Sequence, residues 1–185
     1  MACMYGNLSY LRQTKKIDIR DSRGCTPFHV ACTYKQMEVI TYLLTRGVDC
    51  NAATTYLGNT PLMIALDMGY EDLALFLIGY GKIDIKHQNN FGVTALHLAS
   101  RLRDPLIANY LIRKGALIEA QDVQGLTPLF HACIKDNMDV VKCLVQFGAR
   151  YDVRDMLLKY PVEYARCEKI RELLKISFVI GYEVD

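Results

Sequence analysis

The apolar positions of this chain fall in short bursts that recur at a fixed spacing. In "MEVITYLLTRG", Val39, Ile40, Leu43 and Leu44 lie three and four apart, which predicts one buried stripe of an amphipathic helix. The segments "EDLALFLIGYG", "PLIANYLIRKG" and "MDVVKCLVQFG" repeat the pattern, and the four end at Gly47, Gly81, Gly115 and Gly148. A glycine there predicts a left-handed helix cap. A shorter apolar run precedes each segment and opens on "GCTPFH", "GNTPLM", "GVTALH" or "GLTPLF". Threonine before proline predicts a helix start: the hydroxyl can accept a free N–H, and proline is tolerated in the first turn.

The four threonines, Thr26, Thr60, Thr94 and Thr127, are separated by 34, 34 and 33 residues. A weaker fifth copy, "KYPVEYA", puts Pro161 33 residues after Pro128. Small residues recur inside the first helix at Ala31, Ala65, Ala99 and Ala132, where a neighbour must approach closely. Each linker holds a turn glycine, at Gly24, Gly58, Gly92 and Gly125. A helical hairpin of this length cannot bury its own apolar face, so the period predicts stacking of one copy on the next.

These residues resemble the ankyrin repeat pattern, which runs roughly D-x-x-G-x-T-P-L-H-x-A. The resemblance extends over about residues 2 to 174. It implies an all-α solenoid with short β-turn or hairpin loops between helix pairs, forming a single domain over residues 1–185. Its divisions would be a partial N-terminal unit at 1–20, repeats at 21–54, 55–88, 89–121 and 122–154, and a degenerate cap with tail at 155–185. Ala95 departs from the proline, Met63 and Phe130 depart from the histidine, and one extra residue falls near Thr54 and another near Lys82. The opening "ACMYGNLSYL" reads as the inside of a repeat, either a natural cap or part of something longer. The apolar tail "ISFVIGYEVD" is expected to pack on the last helices or lead into a further segment.

Composition narrows the function. Net charge is +2, and like-charge runs do not exceed two residues, which argues against nucleic acid or an anionic membrane as partner. The longest apolar stretches, 73–80 and 176–182, are far shorter than a membrane-spanning helix needs. No basic stretch followed by an apolar core and cleavage site stands at residues 1–20, so secretion is not expected. Seven scattered cysteines, with no C-x-x-C pair, predict free thiols and a reducing compartment, cytoplasm or nucleus. Neither a phosphate-binding loop, a nucleophile elbow nor an H-E-x-x-H helix is present, so no enzyme, metal site or cofactor is expected.

The histidine–cysteine pairs are read as architecture. His29 and Cys32 in one copy become His131 and Cys133 in another, with the histidine displaced by one place. The resemblance implies that His29 and His97 tie a turn to its neighbour by hydrogen bonds. The role of His131 stays open. Cys3, Cys32 and Cys133 take an alanine-like place and are expected to be buried.

The remaining candidate is surface. By the resemblance, residues flanking each turn glycine and those just after the alanines face the concave side. In order they are Ser22, Arg23, Cys25, Thr33 and Tyr34; then Tyr56, Leu57, Asn59, Asp67 and Met68; then Asn90, Phe91, Val93, Arg101 and Leu102. Val123, Gln124, Leu126, Ile134 and Lys135 follow, and Met156, Leu157 and Lys159 open the last copy. Tyr34, Tyr56, Leu57, Met68, Phe91, Leu102, Leu126 and Ile134 make this set more apolar than an idle water-facing groove. Either they receive a protein or peptide, with Arg23, Arg101 and Lys135 at the rim, or they fold back on neighbouring turns. The expectation is a non-catalytic interaction module, monomeric when alone. The alternative is a regulatory or targeting part of a larger protein whose enzyme lies elsewhere.

Overall fold

A computed structural model describes the backbone of residues 17–181 and the side chains of residues 17–175. The partial unit at 1–20 is therefore described only from residue 17. Cys3 and the side chains of the 176–182 stretch lie outside the described residues. Ten helices and no strand occur among the described residues. The chain divides into two compact units, Met1–Phe91 and Gly92–Asp185.

The first unit contains α1 (Pro27–Thr33), α2 (Met37–Thr45), α3 (Pro61–Asp67) and α4 (Glu71–Gly79). The first helix packs on α2 and α3, and α3 packs on α4. The second unit contains α5 (Ala95–Ala99), α6 (Leu106–Arg113), α7 (Pro128–Ile134), α8 (Met138–Gln146), α9 (Pro161–Tyr164) and α10 (Glu168–Gly181). There α5 packs on α6 and α7, α6 on α8, α7 on α8 and α9, and α10 on α8 and α9.

The short helices owe their position to neighbours more than to propensity, since seven residues or fewer do not hold a helix in water. Ala31, Ala65, Ala99 and Ala132 are wholly buried, as close helix approach requires. Val39, Ile40 and Leu43 of α2 are equally buried, and each such side chain contributes about 1.5–3 kcal/mol.

The turns carry their own hydrogen-bond system. Asp21 Oδ1 accepts the N–H groups of Arg23 and Cys25, at 2.9 and 2.8 Å. Asp122 does the same for Gln124 and Leu126. In the second copy, where the extra residue falls, Thr54 takes over: its hydroxyl accepts from Asn59 N–H at 3.1 Å. Successive turns are joined in turn by backbone bonds. Thr55 N–H donates to Arg23 C=O and Asn90 N–H to Leu57 C=O in the first unit, while Met156 N–H donates to Gln124 C=O in the second. This closeness explains one glycine directly. Gly58 holds φ +70°, and a Cβ on it would lie 2.6 Å from Asn90 Oδ1.

The last turn breaks the rule. Leu158 occupies the glycine place with φ +61°. A left-handed conformation costs a residue with a side chain about 1–2 kcal/mol.

Candidate functional site

The histidines show how the first helices are locked. Nδ1 of His29 accepts the Thr26 N–H at 3.0 Å, so Nδ1 is unprotonated and Nε2 bears the hydrogen. That Nε2–H donates to Asn59 C=O at 3.2 Å, across to the next copy. His97 repeats the arrangement: Thr94 N–H to Nδ1 at 3.1 Å, and Nε2–H to Leu126 C=O at 3.0 Å. The cross-turn ties implied for both residues are present. Burial pushes the His97 pKa down to about 4, helped by the neighbouring His131 ring.

His131, one place later, does something else. Its Nε2 lies 3.0 Å from Asp122 Oδ2, and its ring stands edge-on to His97 with centroids 5.0 Å apart. Burial opposes the Asp122 charge, yet hydrogen bonds from His131, Gln124 N–H and Leu126 N–H outweigh it and hold the carboxyl below its usual range. With Phe130 in the histidine place, Thr127 makes no side-chain cap, contrary to the expectation for a Thr-Pro start. Its buried Oγ1 has no hydrogen-bond partner among the described residues. Phe130 instead packs edge-on against Tyr164, with centroids 5.7 Å apart.

Cys32 and Cys133 are wholly buried, as expected of packing residues. Burial drives both thiols up, Cys133 to about 12, so neither is a ready thiolate. Among the described residues no group of three His, Cys, Asp or Glu side chains is placed to hold a metal ion.

The expected surface residues separate into three sets. Tyr34, Tyr56, Leu57, Met68 and Phe91 of the first unit are exposed, Tyr56 most of all at 77%. Arg23 is exposed beside Asp21. In the second unit Arg101, Gln124, Ile134 and Lys135 are exposed. Asn59 and Leu102 are half-buried. Leu126 is a correction: it is only 7% exposed, because its turn folds the side chain inward while its carbonyl serves His97.

Within the first unit the exposed residues sit on a stiff frame. Asn90 Nδ2 donates to the carbonyls of Thr55 and Tyr56, at 3.2 and 2.8 Å, and Asn89 Oδ1 accepts the Phe91 N–H. Asn89 Nδ2 also reaches Asn59 Oδ1. Tyr34 and Met68 cap α1 and α3, the two helices packed side by side. In the second unit Asn137 Nδ2 donates to Ser100 and Leu102 carbonyls, fastening the turn after α7 to the turn after α5. His87, which carried no expectation, donates to Gly58 C=O at 2.8 Å.

A scaffold of repeated helix pairs with a hydrogen-bonded turn face is the arrangement of a repeat protein. A family model described as ankyrin repeats in three copies matches residues 1–89, 48–122 and 81–155. The chain belongs to the ankyrin repeat family, whose members are generally protein–protein interaction modules. It is 33% identical over 152 residues to "Probable 26S proteasome regulatory subunit p28" of Saccharomyces cerevisiae, covering 80% of this chain and 66% of that protein. It is 32% identical over 151 residues to a glycerophosphocholine phosphodiesterase of Candida albicans, covering 78% of this chain and 12% of the enzyme. An ankyrin repeat protein of fowlpox virus is 34% identical over 128 residues, 68% of this chain and 38% of that protein. The chain thus spans less than two thirds of the length of each of these relatives.

Proposed function

We propose that this chain is a non-catalytic protein-binding module, and that the turn-and-inner-helix face of each unit receives a protein or an extended peptide. The observation that carries the reading is the set of exposed Tyr34, Tyr56, Leu57, Met68 and Phe91 on a turn frame fixed by Asn90. Aromatic and Met side chains held out of a rigid surface are the residues from which binding hot spots are made. A stiff frame also loses little freedom on binding. Arg23 and Asn59 border this face in the first unit. Arg101, Leu102, Gln124, Ile134 and Lys135 are its counterpart in the second.

Residues 21–54, 55–88, 89–121 and 122–154 are taken as the repeats, and 155–185 as the terminal unit. The six cysteines among the described residues are free, which supports a reducing compartment, cytoplasm or nucleus. No helix among the described residues is long and apolar enough to cross a membrane. A net charge of +2 gives nucleic acid little purchase. We take the chain to be monomeric when alone.

The test is substitution of Tyr56 and Phe91 by serine, with partners recovered by affinity capture and binding and melting both measured. Binding should fall about ten-fold or more while the melting temperature holds within about 1 °C. Binding intact with stability lost would mean that these side chains pack on their own turns. A second reading, a regulatory segment of a longer polypeptide, is favoured by the 12% and 38% coverage of two relatives. The length of the native polypeptide in an extract, read by immunoblot, decides it.

A further inference from the structure

Three successive aliphatic side chains at the last turn stand in water, Met156 at 74%, Leu157 at 70% and Leu158 at 70% exposed. Leu158 holds φ +61° in the register where Gly125 holds +77°. It therefore bears the crowding that glycine escapes, and its exposed side chain recovers little of that through burial.

The frame beneath is firmly built. The Asp155 carboxylate accepts the N–H groups of Leu157 and Lys159, both at 2.9 Å, and the Tyr164 hydroxyl. Met156 N–H is engaged with Gln124 C=O. On the other side, Leu157 C=O stands in the register of Arg23, Leu57 and Gln124, whose carbonyls each accept a backbone N–H from the following turn. Among the described residues no donor reaches it.

Charge singles out the occupant. Arg154 lies over the Tyr160 ring at 4.7 Å and Lys159 over the Tyr164 ring at 5.7 Å, both exposed and flanking the tip. The nearby acids are engaged: Asp155 is buried in the turn, Asp152 pairs with Arg150, and Glu163 accepts the Tyr160 N–H. The tip thus turns aliphatic side chains and cations outward.

We propose that the Met156–Leu158 tip is a docking point for an extended protein segment that is aliphatic at its centre and acidic at its flanks. One backbone N–H of the segment meets Leu157 C=O, its aliphatic side chains cover Met156, Leu157 and Leu158, and its carboxylates meet Arg154 and Lys159. Met156, Leu157 and Lys159 continue the turn series of the face proposed above, and the proposal rests on that reading for its last copy. None of them is among the residues named there, so Tyr56→Ser and Leu157→Ser can fail independently.

The probes are a synthetic peptide with a Val-Leu-Val centre between pairs of glutamates and its lysine-flanked counterpart, followed by amide NMR on the intact chain. The glutamate peptide should shift the amides of Leu157, Leu158 and Lys159. It should bind about ten-fold tighter at low salt than the lysine peptide. Leu158→Gly should raise Tm by roughly 2–4 °C by releasing the strain, yet weaken the glutamate peptide about ten-fold. Leu157→Ser, which leaves the backbone alone, should weaken it likewise, and Tyr56→Ser should not. No amide shift at millimolar peptide, equal binding of both peptides, or undiminished binding to Leu157→Ser and Leu158→Gly overturns the proposal. So does a lower Tm for Leu158→Gly, which would mean that Leu158 is held by packing.

Discussion

Two neighbouring repeats of the second unit solve the same problem with different chemistry. The repeat that opens at Thr94 is locked by polar contacts: Thr94 N–H to His97 Nδ1, then His97 Nε2–H to Leu126 C=O. The repeat that opens at Thr127 puts Phe130 in the same place and packs it on Tyr164, leaving the threonine hydroxyl without a partner among the described residues. One lock is directional and sensitive to protons, and the other is neither. The fold accepts both because each fills the same buried position beside the turn.

Leu126 joins the two repeats and offers the largest test. Replacing it by serine empties a buried site and strands a hydroxyl there, so about 3 kcal/mol of stability should go, measured by urea unfolding. A loss below about 1 kcal/mol would mean that the turn tolerates solvent and that the two locks act independently.

Acid comes next. The His97 pKa lies near 4 in the folded chain, below the 6.5 of the free side chain, so the unfolded chain takes up the proton first as pH falls. Stability from this residue is complete above about pH 6.5 and declines toward pH 4, by about 2–3 kcal/mol in all. The slope of stability against pH over that window should shrink in His97→Asn. An unchanged slope would remove His97 as the cause.

The smallest effect discriminates best. Thr94→Val loses a helix cap and should cost about 1 kcal/mol. Thr127→Val removes a hydroxyl that is buried without a partner and should be neutral or stabilising by up to about 1 kcal/mol. Equal losses at the two positions would erase the contrast between the locks.

The repeating architecture was legible because it is written in spacing: threonines 34, 34 and 33 residues apart, and positive-φ glycines at four hairpin turns (Gly24, Gly58, Gly92, Gly125) and after four second helices (Gly47, Gly81, Gly115, Gly148). The side on which a turn residue points was harder to read. Leu126 shares its place with Cys25 and Asn59, which are half-exposed, yet it is buried. Nothing in a single residue's type records which way its turn is tilted. The partnership of His131 with Asp122 was also hidden, although a signal existed. Asp155 and Tyr164 lie nine residues apart, as Asp122 and His131 do, and they too are bonded. Leu158 shows the reverse case, since aligning "DMLLKY" with "DVQGLT" is enough to reveal the missing glycine.

The contact of Gly58 with Asn90 carries a further consequence. A glycine in one copy is fitted to an atom that belongs to the next, and Gly125 in the same way faces the backbone of Asp155 and Met156. Such a polymer takes an extra residue only where a turn can re-form its own bonds, as the one at Thr54 does, because each joint is shared between tenants. Loss of a joint residue is felt by two copies at once, so removal of a whole copy disturbs the rest less than removal of part of one.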